Sequence, residues 1–385
     1  MAAGAFGASH CGVAAKSPSF SPMGARLPFQ AMQDRRIPRL RIALVAPPFV
    51  RVPPVGYGGT ELIIADLAAA YAASGHEVTL FATGDSHVEG CETKWLFRRP
   101  LWPPEPVAEW NHAAFAALAI LDGHYDIVHS HTPALLPLVG ALSVPVVHTV
   151  HLAPEPRWID LYRLQDRARY VCISHRQSEL LSEAFSTHPA VVHHGLDVER
   201  YPEGDGRDGD AIFVGRLDEV KAPHLALETA RKAGVALRIA GRPHDGDYFS
   251  RVFAPELSKG GGRLIGEICG DEKSRCIGSA KALIFSSIWE EPFGLALIEA
   301  MLCGTPVAAL RKGAVPEIVD EGITGYSVAT AEELPDALRA AMKLDRERVR
   351  AHARERFSLA RMASAYLHLY EDALLGADRR VSLRG

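Results

Sequence analysis

The chain has 385 residues, 48% apolar and 23% charged, enough for two hydrophobic cores, because single cores stop growing near ~250 to 300 residues. Lys and Arg number 42 against 46 Asp and Glu, a net charge of −4, which excludes the overall positive field that nucleic acid or an anionic bilayer requires. No stretch reaches the ~18 consecutive apolar residues of a spanning helix, and six cysteines without a Cys-x-x-Cys pair fit reduced thiols in a cytoplasmic protein rather than a disulfide scaffold or a cysteine zinc site.

Residues 1–38 are rich in Ala, Gly, Ser and Pro, lack hydrophobic periodicity and lack the basic and apolar regions of a secretory signal, so they read as a disordered leader. From Arg41 the character changes: an apolar run to Ala46, bounded by Pro47 and Pro48, has the composition of a buried parallel strand. The glycine loop Gly56 to Gly59 leads into a helix over 60–74, where Leu62, Ile63, Leu67, Ala70 and Tyr71 recur at helical spacing and Gly75 terminates it. A strand follows over 77–82. Further strands over 126–129, 144–148, 170–173 and 190–193 alternate with helical patterns near 106–122, 158–168 and 174–185, which predicts a doubly wound parallel sheet. After a linker-like segment at 201–210, strands over 211–214, 236–240, 263–265, 282–285 and 306–309 predict a second such domain. Two sheets of this kind in tandem place the carboxyl ends of their strands around a shared crevice, and ligands of α/β sheets bind there.

The polar residues of interest fall in those loops. Arg216 and Lys221 follow the strand over 211–214 and precede a helix beginning at Pro223, so two cations stand beside a helix N-terminus, an arrangement suited to a diphosphate; the alternative is a solvated surface pair. Glu291 and Glu299 are eight positions apart around Pro292 to Leu295, Glu291 in the loop and Glu299 one to two turns into a helix. The apolar flanks Leu297, Ile298, Ala300 and Met301 argue against a solvated face for Glu299, and a carboxylate among such neighbours has a partner.

Gly215-Arg-Leu with Lys221, Glu291-Pro-Phe-Gly with Glu299-Ala-Met, and Gly304-Thr-Pro-Val together resemble glycosyltransferase family 4, over about residues 41–375. The segment Val52 to Gly59 resembles the subset of that family that includes an avilamycin-pathway glycosyltransferase. The resemblance implies an α/β protein of the GT-B fold, two doubly wound Rossmann-like domains facing a central cleft, with retaining chemistry. It implies that Arg216 and Lys221 bind the donor diphosphate, that Glu299 accepts from ribose hydroxyls, and that Glu291 with the Phe293, Gly294 and Leu295 backbone holds the donor sugar. The loop at Gly58 and Gly59 would close over the phosphates. Thr149 and His151 map onto a Thr-x-His pattern, putting His151 across the cleft from the donor sugar, and Glu267 with Ile268 resembles the segment that reads the base. One departure is Ala222 after Lys221, where the family usually has glycine, so weakened phosphate binding is expected there.

Several patterns are decoys. Gly56 to Glu61 begins like a dinucleotide fingerprint but has Glu61 at the third glycine position, which argues against a nicotinamide enzyme. Asp208-Gly-Asp210 and Asp245-Gly-Asp247 imitate a metal-binding Asp-x-Asp, but their surroundings predict turns. His129 and His131 would share one face of a strand, and His193 and His194 are adjacent, but no third ligand at a recognisable spacing supports a zinc site. Residues 34–183 hold 13 Lys or Arg against 16 Asp or Glu, which disfavours docking on an anionic membrane. The expected organisation is a leader over 1–38, an acceptor-side domain over 39–200, a nucleotide-sugar domain over 201–358, a helix over 359–377 returning to the first domain, and a tail over 378–385. The expected function is metal-independent, cofactor-free retaining transfer of a hexose from a nucleotide sugar, UDP-glucose first, to a small-molecule or saccharide hydroxyl. A GT-B-fold sugar-nucleotide epimerase and a catalytically silent binding module are the alternatives.

Overall fold

In a computed structural model, residues 38–153 and 155–382 are described; the leader expected over 1–38 lies outside them except for Pro38. Thirteen strands form two sheets. The first comprises β1 (Arg41–Val45), β2 (Glu77–Phe81), β3 (Cys91–Lys94), β4 (Ile127–Ser130), β5 (Val146–Val150), β6 (Arg169–Cys172) and β7 (Ala190–Val191). The second comprises β8 (Ala211–Val214), β9 (Leu237–Ala240), β10 (Gly262–Gly266), β11 (Ala282–Phe285), β12 (Val307–Leu310) and β13 (Gly325–Val328). The orders are β3-β2-β1-β4-β5-β6-β7 and β10-β9-β8-β11-β12-β13. All pairs are parallel, Ala43 standing opposite both Thr79 and Val128 and Ile212 opposite both Arg238 and Leu283. In each sheet the strand order reverses once, between β1 and β4 and between β8 and β11, so the loops leaving those strands part and open a crevice.

Central strands are buried on both faces and therefore carry continuous apolar runs: Ile42, Ala43, Leu44 and Val45 are fully buried, as are Leu283 and its neighbour Ala282. Two strands that periodicity did not show, β3 and β13, are sheet edges. Cys91–Lys94 is partly exposed throughout, and Gly325–Val328 alternates, so neither needs an apolar run. β5 lies two residues later than its expected position, after Pro145, which puts His148 and Thr149 inside the strand and His151 just beyond its carboxyl end. The last strand of the first series shortens to Ala190–Val191.

The helix Gly59–Ala73 buries residues around most of its circumference, including Ile63, Ile64, Leu67 and Tyr71, because it lies between the first sheet and the carboxyl-terminal helix Leu359–Ser382. The return path starts where Leu196 bridges Ser358, and a Cβ on Gly195 would stand 2.2 Å from the Ser358 carbonyl oxygen. Tyr366 and Tyr370 on that helix are fully buried, the Tyr370 hydroxyl donating to Tyr71 Oη at 3.1 Å. The helix runs on through Ser382, into the segment read from sequence as a tail beginning at 378.

Candidate active site

On the second domain's side of the crevice, β8 ends at Val214 and is followed by Gly215, whose carbonyl is approached so closely by Gly241 that a Cβ on Gly241 would stand 1.9 Å from it. Arg216 follows, its Nε donating to Asp218 Oδ2 at 2.8 Å, and Asp218 Oδ1 accepts from the Lys221 backbone N–H at 3.0 Å. One carboxylate thus orients the first cation and folds the loop that carries the second. Arg216 also lies 6.0 Å from the ring centroid of Tyr57, which comes from the glycine loop of the other domain. Lys221 Nζ pairs with Glu291 Oε2, the same oxygen that accepts from Trp289 Nε1 at 2.8 Å and Ser287 Oγ at 3.3 Å. Arg216 and Lys221 have side-chain exposures of 26% and 17% and each is paired with a carboxylate, so neither is a freely solvated surface cation. Ala222 closes the loop in the left-handed region at φ 46°, the single non-glycine residue with positive φ among those described, at the position where the family resemblance expects glycine.

Glu291 sits in a loop pinned from below. A Cβ on Gly313, itself at φ 56°, would collide with the Glu291 backbone at 2.2 Å, and the Ala314 N–H donates to the Glu291 carbonyl at 2.9 Å. Gly294, at φ 93°, then caps the helix Leu295–Leu302 without a side-chain partner, leaving first-turn N–H groups to face the crevice. Glu299 on this helix is 3% exposed; its Oε1 accepts from Lys273 Nζ at 2.7 Å and from the Tyr201 hydroxyl at 3.3 Å. Glu267 Oε1 accepts from the Tyr57 backbone N–H at 3.2 Å, and the adjacent Ile268 is buried. A Cβ on Gly59 would stand 2.9 Å from Leu295 Cδ1, so the glycine loop abuts the second domain at both Glu267 and Leu295, while Gly58 is packed against Pro54.

The first domain contributes imidazoles. His151 Nε2 lies 2.9 Å from His131 Nδ1, and its ring stacks on His194 at 5.5 Å between centroids. His194 meets the Phe293 ring edge-on at 5.0 Å, joining this group to the donor-side loop. Behind them His129 spends both ring nitrogens, on Tyr370 Oη and Thr149 Oγ1, each at 2.7 Å. Burial holds His151 and His148 down to about 3 and His129, His131 and His194 well below the usual imidazole range, so all are neutral near pH 7. His193 turns away from His129 and His131, to Glu317.

The family model described as Glycosyltransferase Family 4 matches residues 57–200, and that of Glycosyl transferases group 1 matches residues 202–356. A D-inositol 3-phosphate glycosyltransferase of Mycolicibacterium paratuberculosis is 30% identical, over 84% of this chain and 86% of its own length. The chain belongs to glycosyltransferase family 4. AviGT4, a glycosyltransferase involved in avilamycin A biosynthesis, superposes with a TM-score of 0.71 at 24% identity, covering 88% of this chain and 98% of its own. Anabaena HepE, solved in complex with UDP-glucose, has a TM-score of 0.67 at 18% identity, covering 87% of this chain and 100% of its own. The two parallel sheets are those of the GT-B fold, and the protein is a glycosyltransferase.

Within this family member, sequence reading found the residues in motifs and missed their partners. Asp218, Ser287 and Trp289 lie inside or next to the motifs, but no spacing pairs them with Arg216, Lys221 or Glu291. Lys273, in the helix Gly270–Ser279, and Tyr201, in the segment read as a linker, carried no signal, since each reaches Glu299 only across the fold. The Asp-x-Asp carboxylates have protein partners: Asp245 caps a helix start through the Asp247 and Tyr248 N–H groups, and Asp208 and Asp210 pair with the buried Arg238 at 3.0 and 3.1 Å.

Proposed function

We propose that this family 4 member transfers a hexose from a nucleoside diphosphate sugar to a hydroxyl of a small polyol or saccharide, with retention and without a metal. The observation that carries the reading is the convergence of Arg216, Lys221 and the open N-terminus of the helix Leu295–Leu302 at the crevice, a set of donors that matches a diphosphate leaving group. The Lys221 ammonium and the Arg216 guanidinium would stabilise the two phosphates as the bond from the anomeric carbon to the phosphate oxygen breaks. The acceptor hydroxyl would form its new bond to that carbon on the same face while its proton passes to the departing phosphate oxygen. Glu291, with three donors gathered on Oε2, would use Oε1 to accept from a hydroxyl of the donor sugar, and Glu299 would accept from the ribose. His151, neutral and aligned by His131, would meet the sugar from the opposite wall.

UDP-glucose is the donor proposed first, in line with the UDP-glucose complex of HepE, and a hydroxylated ring bearing phosphate is an acceptor in line with the inositol phosphate relatives. Membrane-surface docking and nucleic acid play no part in this reading, which also places the enzyme in the cytoplasm. The test is calorimetry and thermal shift of the purified protein against UDP, GDP, ADP and dTDP and then their sugars, with and without EDTA. Selective stabilisation by one nucleotide, unchanged by EDTA, is expected. Failure of all four to bind would remove Arg216 and Lys221 from a phosphate site and favour a silent carbohydrate-binding module.

A further inference from the structure

Beside the loop that carries Glu290 and Glu291, a second polar cluster joins the two domains. His175 begins the helix His175–Leu180, His193 follows β7, and Glu317 lies on the short helix Val315–Ile318 of the second domain. One ligand atom from each lies within 4.8 Å of the others. His193 Nε2 is 2.9 Å from Glu317 Oε2, and the His175 and His193 rings stand edge to face with centroids 5.6 Å apart.

We propose that His175, His193 and Glu317 bind a divalent transition-metal ion of the zinc class, clipping the two domains together. The donor chemistry selects the ion: two imidazoles and one carboxylate suit Zn²⁺, Ni²⁺ or Co²⁺, whereas Mg²⁺ and Ca²⁺ prefer all-oxygen shells. The geometry is close to what such an ion requires. Metal–ligand distances of about 2.0 to 2.2 Å in a tetrahedral site separate ligand atoms by roughly 3.4 Å, so the His193–Glu317 pair is already near its place. His175 is exposed, and its ligand atom lies within 4.8 Å of the other two. In the metal-free pair His193 Nε2–H donates to Glu317; to ligate, His193 takes the neutral tautomer with its proton on Nδ1, which frees Nε2.

The surroundings act as a coordinating carboxylate needs. Glu317 Oε2 accepts from the His175 N–H at 2.8 Å and Oε1 from the Arg176 N–H at 3.0 Å, which fixes the orientation of the carboxylate. The nearby guanidinium groups are engaged elsewhere: Arg176 Nε donates to Glu290 at 2.9 Å, and Arg356 pairs with Asp320 and donates to the Glu317 carbonyl at 2.7 Å. Among the described residues no Lys or Arg side chain pairs with the Glu317 carboxylate to compete with a cation. Because the ligands come from both domains and His193 packs against Phe293 at 5.9 Å, the ion holds the donor-side loop against the first domain.

The test is calorimetric titration of the full chain, stripped with EDTA and exchanged into metal-free buffer, with ZnCl₂, NiCl₂ and MgCl₂. One zinc or nickel ion per chain is expected, with no resolvable magnesium binding, and Co²⁺ should give the visible bands of tetrahedral coordination. His175→Ala and His193→Ala should each weaken zinc binding by at least about 10-fold, while His188→Ala, at an exposed position elsewhere, should leave it unchanged. If His193→Ala does not fold, His175→Ala at its exposed position decides alone. Absence of zinc binding, or equal zinc affinity in wild type and His175→Ala, overturns the proposal. Neither result touches the nucleotide reading, which is scored separately in EDTA.

Discussion

On the second domain's wall of the crevice, charges stand in opposite pairs: Arg216 with Asp218, Lys221 with Glu291, Lys273 with Glu299. On the first domain's wall the polar groups are imidazoles that burial keeps neutral, and the glycine loop carries no charge of its own. The difference follows from what each wall meets under the proposed chemistry. A diphosphate needs cations held in place before it arrives, and paired carboxylates hold them at small reorganisation cost. A neutral sugar and its acceptor need shape and hydrogen-bond direction, and a charged imidazole there would have to be desolvated.

The sharpest way to break this contrast is acid. An imidazole whose folded pKa lies below its unfolded value stays neutral in the fold while the unfolded chain takes a proton. The stability it contributes is complete above about pH 6.5 and is lost as the pH falls toward about 3, the value to which His148 and His151 are held. His129, His131 and His194 act in the same direction. Burial pushes Glu61 up to about 7 and Asp66 up to about 6, with the opposite sign: their contribution is complete below the ordinary carboxyl range and lost as the pH rises. Five imidazoles outweigh two carboxyls, so stability against urea should fall between pH 7 and pH 5. Stability independent of pH across that range would mean the imidazole wall is hydrated or charged.

Next in size are the cations. A charge-assisted hydrogen bond contributes ~1.5 to 3 kcal/mol, so Lys221→Ala and Arg216→Ala should each lower turnover by roughly ten to a few hundred fold. Turnover within threefold of wild type would take them out of the site. A smaller effect separates the two glutamates: Glu299→Gln should weaken nucleotide binding by about 10-fold, while Glu291→Gln should lower turnover with less effect on nucleotide affinity. Matching losses for both variants in calorimetry and in kinetics would merge roles that the contrast keeps apart. Smallest is Ala222→Gly. Relief of about 1 kcal/mol of left-handed strain is set against about 0.5 kcal/mol of unfolded-state entropy and a lost buried methyl, so stability should stay within about 1 kcal/mol. Nucleotide affinity should rise as the backbone comes closer to the phosphate, and an unchanged affinity would show that the methyl does not obstruct it.

The pairings on the charged wall were only half legible beforehand. Arg216, Lys221, Glu291 and Glu299 stand in motifs at strand ends and a helix start, so a local reading reaches them. That Glu299 rests on Lys273 and Tyr201 was not readable, because an ammonium and a phenol far along the chain leave no periodic trace. The zinc-class cluster shows the same thing in reverse: adjacent His193 and His194 suggested a shared site, yet one faces Glu317 and the other stacks on His151. Neighbours on an extended segment point to opposite sides.

From the sequence alone came the alternation of apolar strands with helices, the two doubly wound domains, and the family motifs at their carboxyl ends. Buried parallel strands need continuous apolar runs, and tight loops need particular residues, so both are written locally. The tertiary structure decided the edge strands β3 and β13, which need no such run, the burial of the helix Gly59–Ala73 beneath the returning carboxyl-terminal helix, and the ionic partner of each site residue. It also decided that His129, His131, His151 and His194 stack in one dry row, while His148 turns to the opposite face of β5 against Tyr162 and Tyr170. These depend on which chain segments meet across the fold, as His129 meets Tyr370 at 2.7 Å from 241 residues away, and no local pattern encodes a contact made by the crossing of distant elements.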